Sequence, residues 1–150
     1  MSEGGSGSNP RRCSSDVLGA VAVGGVLGAE VRYGLGVALA NPSGGLPWST
    51  LTINASGCLL IGVLMVLIAE RPHPHRLVRP FLGVGVLGGY TTFSTYSVEA
   101  LTMLQTGHAG PAIAYVVATP LVALAAVAGG TVATRSLARM ISKHDRRRHR

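Results

Sequence analysis

Four apolar segments, each close to the length of a membrane-spanning helix, constrain this chain more than any other feature. A helix needs about 20 apolar residues to cross the hydrocarbon core of a bilayer, and a soluble four-helix bundle would need polar outer faces that two of the segments lack. Charged residues make up only 13% of the 150-residue chain. We therefore predict an all-α membrane protein with four transmembrane helices, in one domain over residues 17–135. The segments cover residues 17–39, 48–69, 81–104 and 112–134.

The two ends of the chain have a different composition. Residues 1–16 are rich in Gly and Ser and lack the apolar core of a signal peptide, so we predict a disordered tail there. Residues 136–150 form a basic tail. Cys13 lies in the first tail and Cys58 in an apolar segment, so the two cysteines do not predict a disulfide.

The basic residues predict the orientation in the membrane. All but one of the 13 Lys and Arg lie in the N-terminal tail, in the connection 70–80, or beyond the fourth segment. The other two connections carry none. Because short loops rich in Lys and Arg stay in the cytoplasm, we expect a protein of the cell (inner) membrane with both termini cytoplasmic.

The third segment turns polar in its middle. The stretch 83–97 reads GVGVLGGYTTFSTYS, and its hydroxyl groups cannot face lipid without a partner. The glycine pair at 88–89, followed by β-branched Thr91 and Thr92, weakens helical continuity. We predict that the third helix is broken between Gly88 and Thr91, and that residues 93–96 form a turn facing protein, water or an ion.

The first segment carries the remaining basic residue, Arg32. It recurs at four-residue spacing with Gly24, Gly28 and Gly36, and such a glycine stripe is typical of close helix packing. Arg32 could attract an anion. Alternatively, it could extend to the membrane interface and pair with Glu30.

Isolated polar residues also mark the second and fourth segments. Asn54 shares a stripe with Cys58 and could either bond across helices or line a pore. Tyr115 and Thr119 share a stripe on the fourth segment, and Pro120 predicts a kink.

The residue pattern does not favour an enzyme or a nucleic-acid-binding protein. No nucleophile–base pair, metal-ligand cluster or phosphate loop is visible, and the five histidines lie in connections or tails. The net charge of +7 is placed at the ends of apolar runs instead of on a base-reading face.

With these pieces in place, the chain resembles the Fluc/CrcB family of fluoride channels from about Val17 to Arg135. The shared motifs are GAEVRY in the first segment, TLTINASGCLLIG in the second and GVLGGYTTFSTYSVEA in the third. The last of these is the most specific.

The resemblance implies a passive channel that exports fluoride and lowers its toxicity. It implies an antiparallel, dual-topology-type dimer with two pores and a structural Na⁺ at the dimer centre. It also assigns candidate site residues by motif. These are the pore residues Asn54, Phe93, Ser94, Thr95, Tyr96 and Tyr115, the vestibule cation Arg32, and the Na⁺-binding backbone carbonyls of Gly88 and Thr91.

Two features depart from the family pattern. Tyr96 stands where the second pore aromatic is usually Phe. The one-sided basic residues predict a single orientation, so we expect the chain to pair with an oppositely oriented homologue in a heterodimer. The alternatives are a small multidrug-type exporter using Glu30, which is also a four-span dimer, and a non-conducting partner subunit of a channel.

Overall fold

The computed structural model describes residues 10–39 and 45–148, and the side chains of residues 14–39 and 45–141. Residues 1–9 of the predicted N-terminal tail, residues 40–44 of the first connection and the last two residues lie outside the described part. The described chain is helical, without strands. Its helices are α1 (Pro10–Ala38), α2 (Trp48–Ala69), a π-helix (Arg79–Leu87), α3 (Gly88–Tyr90), α4 (Ser94–Gln105) and α5 (Ala109–Arg148).

Three of the described helices are long and apolar enough to cross a membrane. The spans are Ser14–Ala38, Trp48–Ala69 and Ala109–Ile141. Many large apolar side chains on them are exposed, among them Leu121 and Leu124 on α5. Such a surface suits contact with lipid or with another subunit. The all-helical class predicted from the sequence is confirmed, with three helices suited to crossing a membrane.

Both terminal helices extend beyond the predicted spans. α1 begins at Pro10, inside the region predicted as a tail, and proline is well tolerated at the start of a helix because its missing N–H is not needed there. α5 continues to Arg148. The third predicted segment is instead divided among the π-helix, α3 and α4.

The break in the third segment lies later than the glycines suggested. Gly88 has ordinary helical dihedral angles (φ −65°, ψ −39°), whereas Thr91 is extended (φ −79°, ψ 157°). The interruption therefore covers Thr91–Phe93. The glycine pair remains helical, and Gly89 allows close packing: a Cβ on it would overlap the backbone of Gly25.

Glycines also allow two pairs of helical segments to pack closely. Gly24 and Gly28 of α1 lie against the π-helix and α3, where a Cβ on Gly28 would overlap the carbonyl of Val86. Gly62 of α2 and Gly130 of α5 give the same close approach in the second pair. The predicted close packing of the α1 glycine stripe is thus confirmed at its first two positions. Gly36, farther along the stripe, has no such neighbour within 4 Å of the position that a Cβ would take.

The connections gather at two ends of the bundle. Arg76 and Asp16 form an ion pair of 2.5 Å, which places the connection after α2 beside the start of α1. Residues from the first connection (Gly45–Pro47) and from around the third (Thr106, His108 and Pro111) line one common cavity at the other end. Since α2 joins the two groups with 22 continuous residues, about 33 Å of helix separates them. α4 ends just before Gly107, whose φ of +81° reverses the chain into α5.

Candidate functional site

The helix break is held open by a side chain from α2. The Asn54 Nδ2 donates a hydrogen bond to the Thr92 carbonyl (2.9 Å), and the Asn54 Oδ1 accepts one from the Thr92 N–H (2.8 Å). Asn54 is buried. Its amide thus replaces the backbone partners that Thr92 loses by leaving the helix, a replacement that an apolar environment requires.

The hydroxyl of Thr92 organises the chain on the far side of the break. Its Oγ1 accepts the Thr95 backbone N–H (3.1 Å) and donates to the Thr95 Oγ1 (2.9 Å), with the Ser94 Oγ at 3.3 Å. A hydroxyl in this position satisfies one of the free N–H groups at the start of α4. Ser94 and Thr95, both predicted pore residues, therefore belong to a compact cluster of hydroxyl groups.

The break also releases particular backbone carbonyls. In an unbroken helix the Gly88 carbonyl would accept the Thr92 N–H, and the Thr91 carbonyl would accept the Thr95 N–H. Those two donors are bonded to Asn54 and to the Thr92 hydroxyl instead. The carbonyls of Gly88 and Thr91 are hard oxygen donors of the kind that bind Na⁺, so they fit the predicted ion.

Arg32 reaches the same region from α1. Its Nε donates to the Gly89 carbonyl at 3.0 Å. This carbonyl lies between the two released ones in sequence. The structure thus places Arg32 against α3 and not with Glu30, which is exposed.

Three aromatic side chains form a row from the break to α5. The ring centroids of Phe93 and Tyr96 lie 5.6 Å apart, and those of Tyr96 and Tyr115 lie 5.3 Å apart, with tilted planes in both pairs. Phe93 is 79% exposed. The Tyr96 hydroxyl is turned to α5, where it donates to the Val116 carbonyl at 2.8 Å.

Three of the predicted pore residues line one open cavity of about 310 Å³. They are Asn54, Phe93 and Tyr96. Polar and aromatic groups from α2, the break and α4 therefore meet α5 at a single place. The remaining lining residues are Cys58, Thr91, Thr92, Thr119, Pro120 and Ala123.

A carboxylate that was not among the predicted site residues, Glu99, lies one turn after Tyr96 on α4. The Glu99 Oε1 accepts a hydrogen bond from the Thr50 hydroxyl (2.8 Å), and its Oε2 accepts one from the Tyr115 hydroxyl (2.8 Å). Glu99 also lines the cavity of about 560 Å³ at the end of the bundle that holds the first and third connections.

The sequence did contain signals for this group. Glu99 is an acidic residue inside an apolar segment, which usually marks a functional position. Thr50 lies four residues before Asn54 and so shares its helical stripe. The predicted pore residue Tyr115 belongs to this group and connects it to the aromatic row.

Comparisons of this chain with known proteins all point to one family. A family model described as CrcB-like protein, Camphor Resistance (CrcB), matches residues 19–131. The chain is 50% identical over 116 residues to the fluoride-specific ion channel FluC 1 of Streptomyces coelicolor, covering 77% of this chain and 75% of the relative. It is 50% identical over 119 residues to FluC 2 of Nocardia farcinica, covering 79% and 85%. It is 40% identical over 141 residues to FluC 3 of Streptomyces avermitilis, covering 91% and 69%.

Proposed function

Because this chain belongs to the family of CrcB-like proteins, we propose that it is a passive channel through which fluoride leaves the cytoplasm, lowering its toxicity. The observation that carries the proposal is the cavity at the helix break, where the Asn54 amide and the rings of Phe93 and Tyr96 meet. The relatives named as fluoride-specific ion channels support the choice of anion.

The chemistry of the cavity suits a small, strongly hydrated anion. Asn54 uses one N–H to hold the Thr92 carbonyl, and the second N–H of the same amide is the donor we assign to fluoride. Aromatic ring edges carry positive quadrupole density, so Phe93 offers the anion a weak contact beside the amide. Ligands that are individually modest let the ion leave again, as conduction requires.

The Thr50–Glu99–Tyr115 group continues the polar path toward the larger cavity. The Tyr115 ring contacts Tyr96, and its hydroxyl bonds Glu99. Glu99 faces the cavity between the first and third connections. We assign this group to the section of the pathway between the two cavities, where hydroxyl groups can exchange their bond to the carboxylate for one to the anion.

We propose four membrane crossings, with the divided third segment as one of them. The ion pair at Arg76 and the common cavity of the first and third connections support this arrangement, since residues 79–105 run between these two ends. The concentration of basic residues at the end containing Arg76 supports cytoplasmic termini in the cell membrane.

We further propose that the channel is an antiparallel dimer in which the partner is an oppositely oriented homologue. The exposure of Phe93 beside the cavity is consistent with a pathway that a second subunit completes. The numbered names of the relatives are consistent with organisms that carry more than one such chain. The one-sided charge favours the heterodimer over a homodimer.

A structural Na⁺ at the dimer centre completes the proposal. The carbonyls of Gly88 and Thr91 would hold it, because the break removes the N–H partners that a continuous helix would give them. The ion would bind carbonyl oxygens that would otherwise lack a partner in the membrane. Arg32 would keep the intervening Gly89 carbonyl occupied.

The alternative of a multidrug-type exporter would need Glu30 at the transport site. That side chain is exposed on α1 and does not line the cavity at the break. The alternative of a non-conducting partner subunit makes a different prediction: substitutions at Asn54 or Phe93 would leave the flux of the complex unchanged.

The test is fluoride-electrode efflux from proteoliposomes, with chloride as the comparison anion. We expect rapid fluoride release and no chloride release when the chain is reconstituted with an oppositely oriented homologue. Equal release of both anions, or none of either, would contradict the proposed function.

A further inference from the structure

The carbonyl of Val116 lies in a turn of α5 that cannot complete its own hydrogen bonding. In an α-helix the carbonyl of residue i accepts the N–H of residue i+4. For Val116 that residue is Pro120, which lies inside α5 and has no N–H. A carbonyl without a donor is costly inside a membrane, so another group must supply one.

Tyr96 supplies the missing donor. Its hydroxyl donates to the Val116 carbonyl at 2.8 Å, although the two residues are 20 positions apart and on different helices. Tyr96 lies in the first turn of α4, directly after the helix break. The bond therefore joins the turn that lines the cavity to the proline-containing turn of α5.

We propose that Tyr96 is a positioning residue whose hydroxyl is tethered to the Val116 carbonyl that Pro120 leaves open. The anion therefore meets the edge of the Tyr96 ring and not its hydroxyl group. This inference rests on the proposed fluoride pathway. It accounts for a tyrosine where the resembled family usually has phenylalanine. The tyrosine keeps the ring contact and adds an anchor.

The tether matters because Tyr96 and Pro120, the residue that leaves the acceptor carbonyl open, both line the ion cavity. Tyr96 and Pro120 lie on its wall together with Phe93 and Asn54. A free phenol O–H there would be a strong additional donor and would hold fluoride, whereas conduction needs ligands that release the ion. Donating to Val116 removes this O–H from the pathway and fixes the ring between Phe93 and Tyr115.

A double-mutant cycle between Tyr96→Phe and Pro120→Ala tests the tether. In the natural background Tyr96→Phe leaves the Val116 carbonyl without a donor, so we expect the melting temperature of the detergent-solubilised channel to fall by about 3 °C or more. In the Pro120→Ala background the backbone N–H gained at position 120 bonds that carbonyl, and Tyr96→Phe should change the melting temperature by less than a third of that amount.

Fluoride efflux supplies a readout that a purely structural role would not change in this way. Tyr96→Phe should slow efflux severalfold in the natural background because the ring loses its anchor. In the Pro120→Ala background Tyr96→Phe should instead speed efflux. There the Val116 carbonyl no longer needs the Tyr96 hydroxyl, which is free to face the cavity, and the substitution removes it. Tyr33→Phe is the matched control, since Tyr33 is 72% exposed, and it should change neither quantity.

Equal effects of Tyr96→Phe with proline and with alanine at position 120 would overturn the tether. The two proposals remain separable. A channel without fluoride efflux in any background would contradict the proposed function, and the melting-temperature cycle would still decide whether Tyr96 serves the Val116 carbonyl.

Discussion

The Asn54 amide and the Thr92 peptide are joined by two hydrogen bonds, of 2.9 and 2.8 Å, that run in opposite directions across the helix break. One side chain on α2 thus takes over the donor and the acceptor of a residue that has left its own helix. The same side chain lines the cavity that contains Phe93. Asn54 therefore shapes the backbone of the site and also supplies the group that we assign to the anion.

Replacing Asn54 should affect stability and conduction together. Asn54→Ala removes both bonds to Thr92, so we expect the melting temperature to fall by roughly 5 °C or more and fluoride efflux to be lost. Asn54→Asp retains the acceptor but places a carboxylate beside the pathway, and it should abolish efflux with a smaller fall in melting temperature. Thr52→Ala, at an exposed position of the same helix, is the control. Normal efflux in Asn54→Ala would contradict the assigned role.

Removing one donor from Glu99 should slow conduction without unfolding the bundle. Tyr115→Phe retains the ring that packs against Tyr96 and deletes the bond to the Glu99 carboxylate. Bonds to charged groups contribute about 1.5–3 kcal/mol, so we expect fluoride efflux to fall by about tenfold or more. Thr50→Val removes the other donor and should act in the same direction. Unchanged efflux in both variants would place the group outside the pathway.

A methyl group at Gly28 should disrupt the contact of α1 with the divided segment. The Cβ of Gly28→Ala would overlap the Val86 carbonyl, and overpacking of this kind costs about 1–3 kcal/mol. Gly36→Ala lies on the same stripe with open space around its Cβ direction. We expect a lower melting temperature for Gly28→Ala alone. Identical melting curves for the two variants would contradict the observed packing.

Sodium should stabilise the assembled channel specifically. A ligand that binds only the folded state stabilises it in proportion to the logarithm of its concentration. Raising Na⁺ at constant ionic strength, in exchange for N-methylglucamine, should therefore raise the melting temperature by several degrees. K⁺ serves as the control for charge. The same rise with K⁺, or no rise with Na⁺, would contradict a selective site at the Gly88 and Thr91 carbonyls.

The charge bias makes a prediction about assembly. Expressed alone, the chain should insert in one orientation and give little fluoride efflux after reconstitution. Coexpression with an oppositely oriented homologue should restore efflux and yield a complex that contains both chains. Full activity from this chain alone would show that a single gene product is sufficient.

Apolar length and residue spacing were enough to predict the membrane class and several residues that line the cavity at the helix break. Apolar segments near 20 residues can satisfy their backbone in a bilayer only as helices, so α1, α2 and α5 followed from hydropathy. The polar residues of the third segment also had to face protein or an ion, which selected the region around Phe93 and Tyr96. Close-packed glycines at positions 24 and 28 were predictable from their four-residue spacing.

The contacts that these residues make depend on how the helices pack together. The break lies at Thr91–Phe93 and not at the glycine pair, because its position depends on where Asn54 can reach the backbone from another helix. The role of the Tyr96 hydroxyl likewise depends on the carbonyl that Pro120 leaves open on α5. Both contacts join residues far apart in the chain, and local sequence patterns do not specify which polar donor meets which acceptor. The length of the apolar segments predicts helices that can cross a membrane, whereas the pairing of polar groups across helices determines the site.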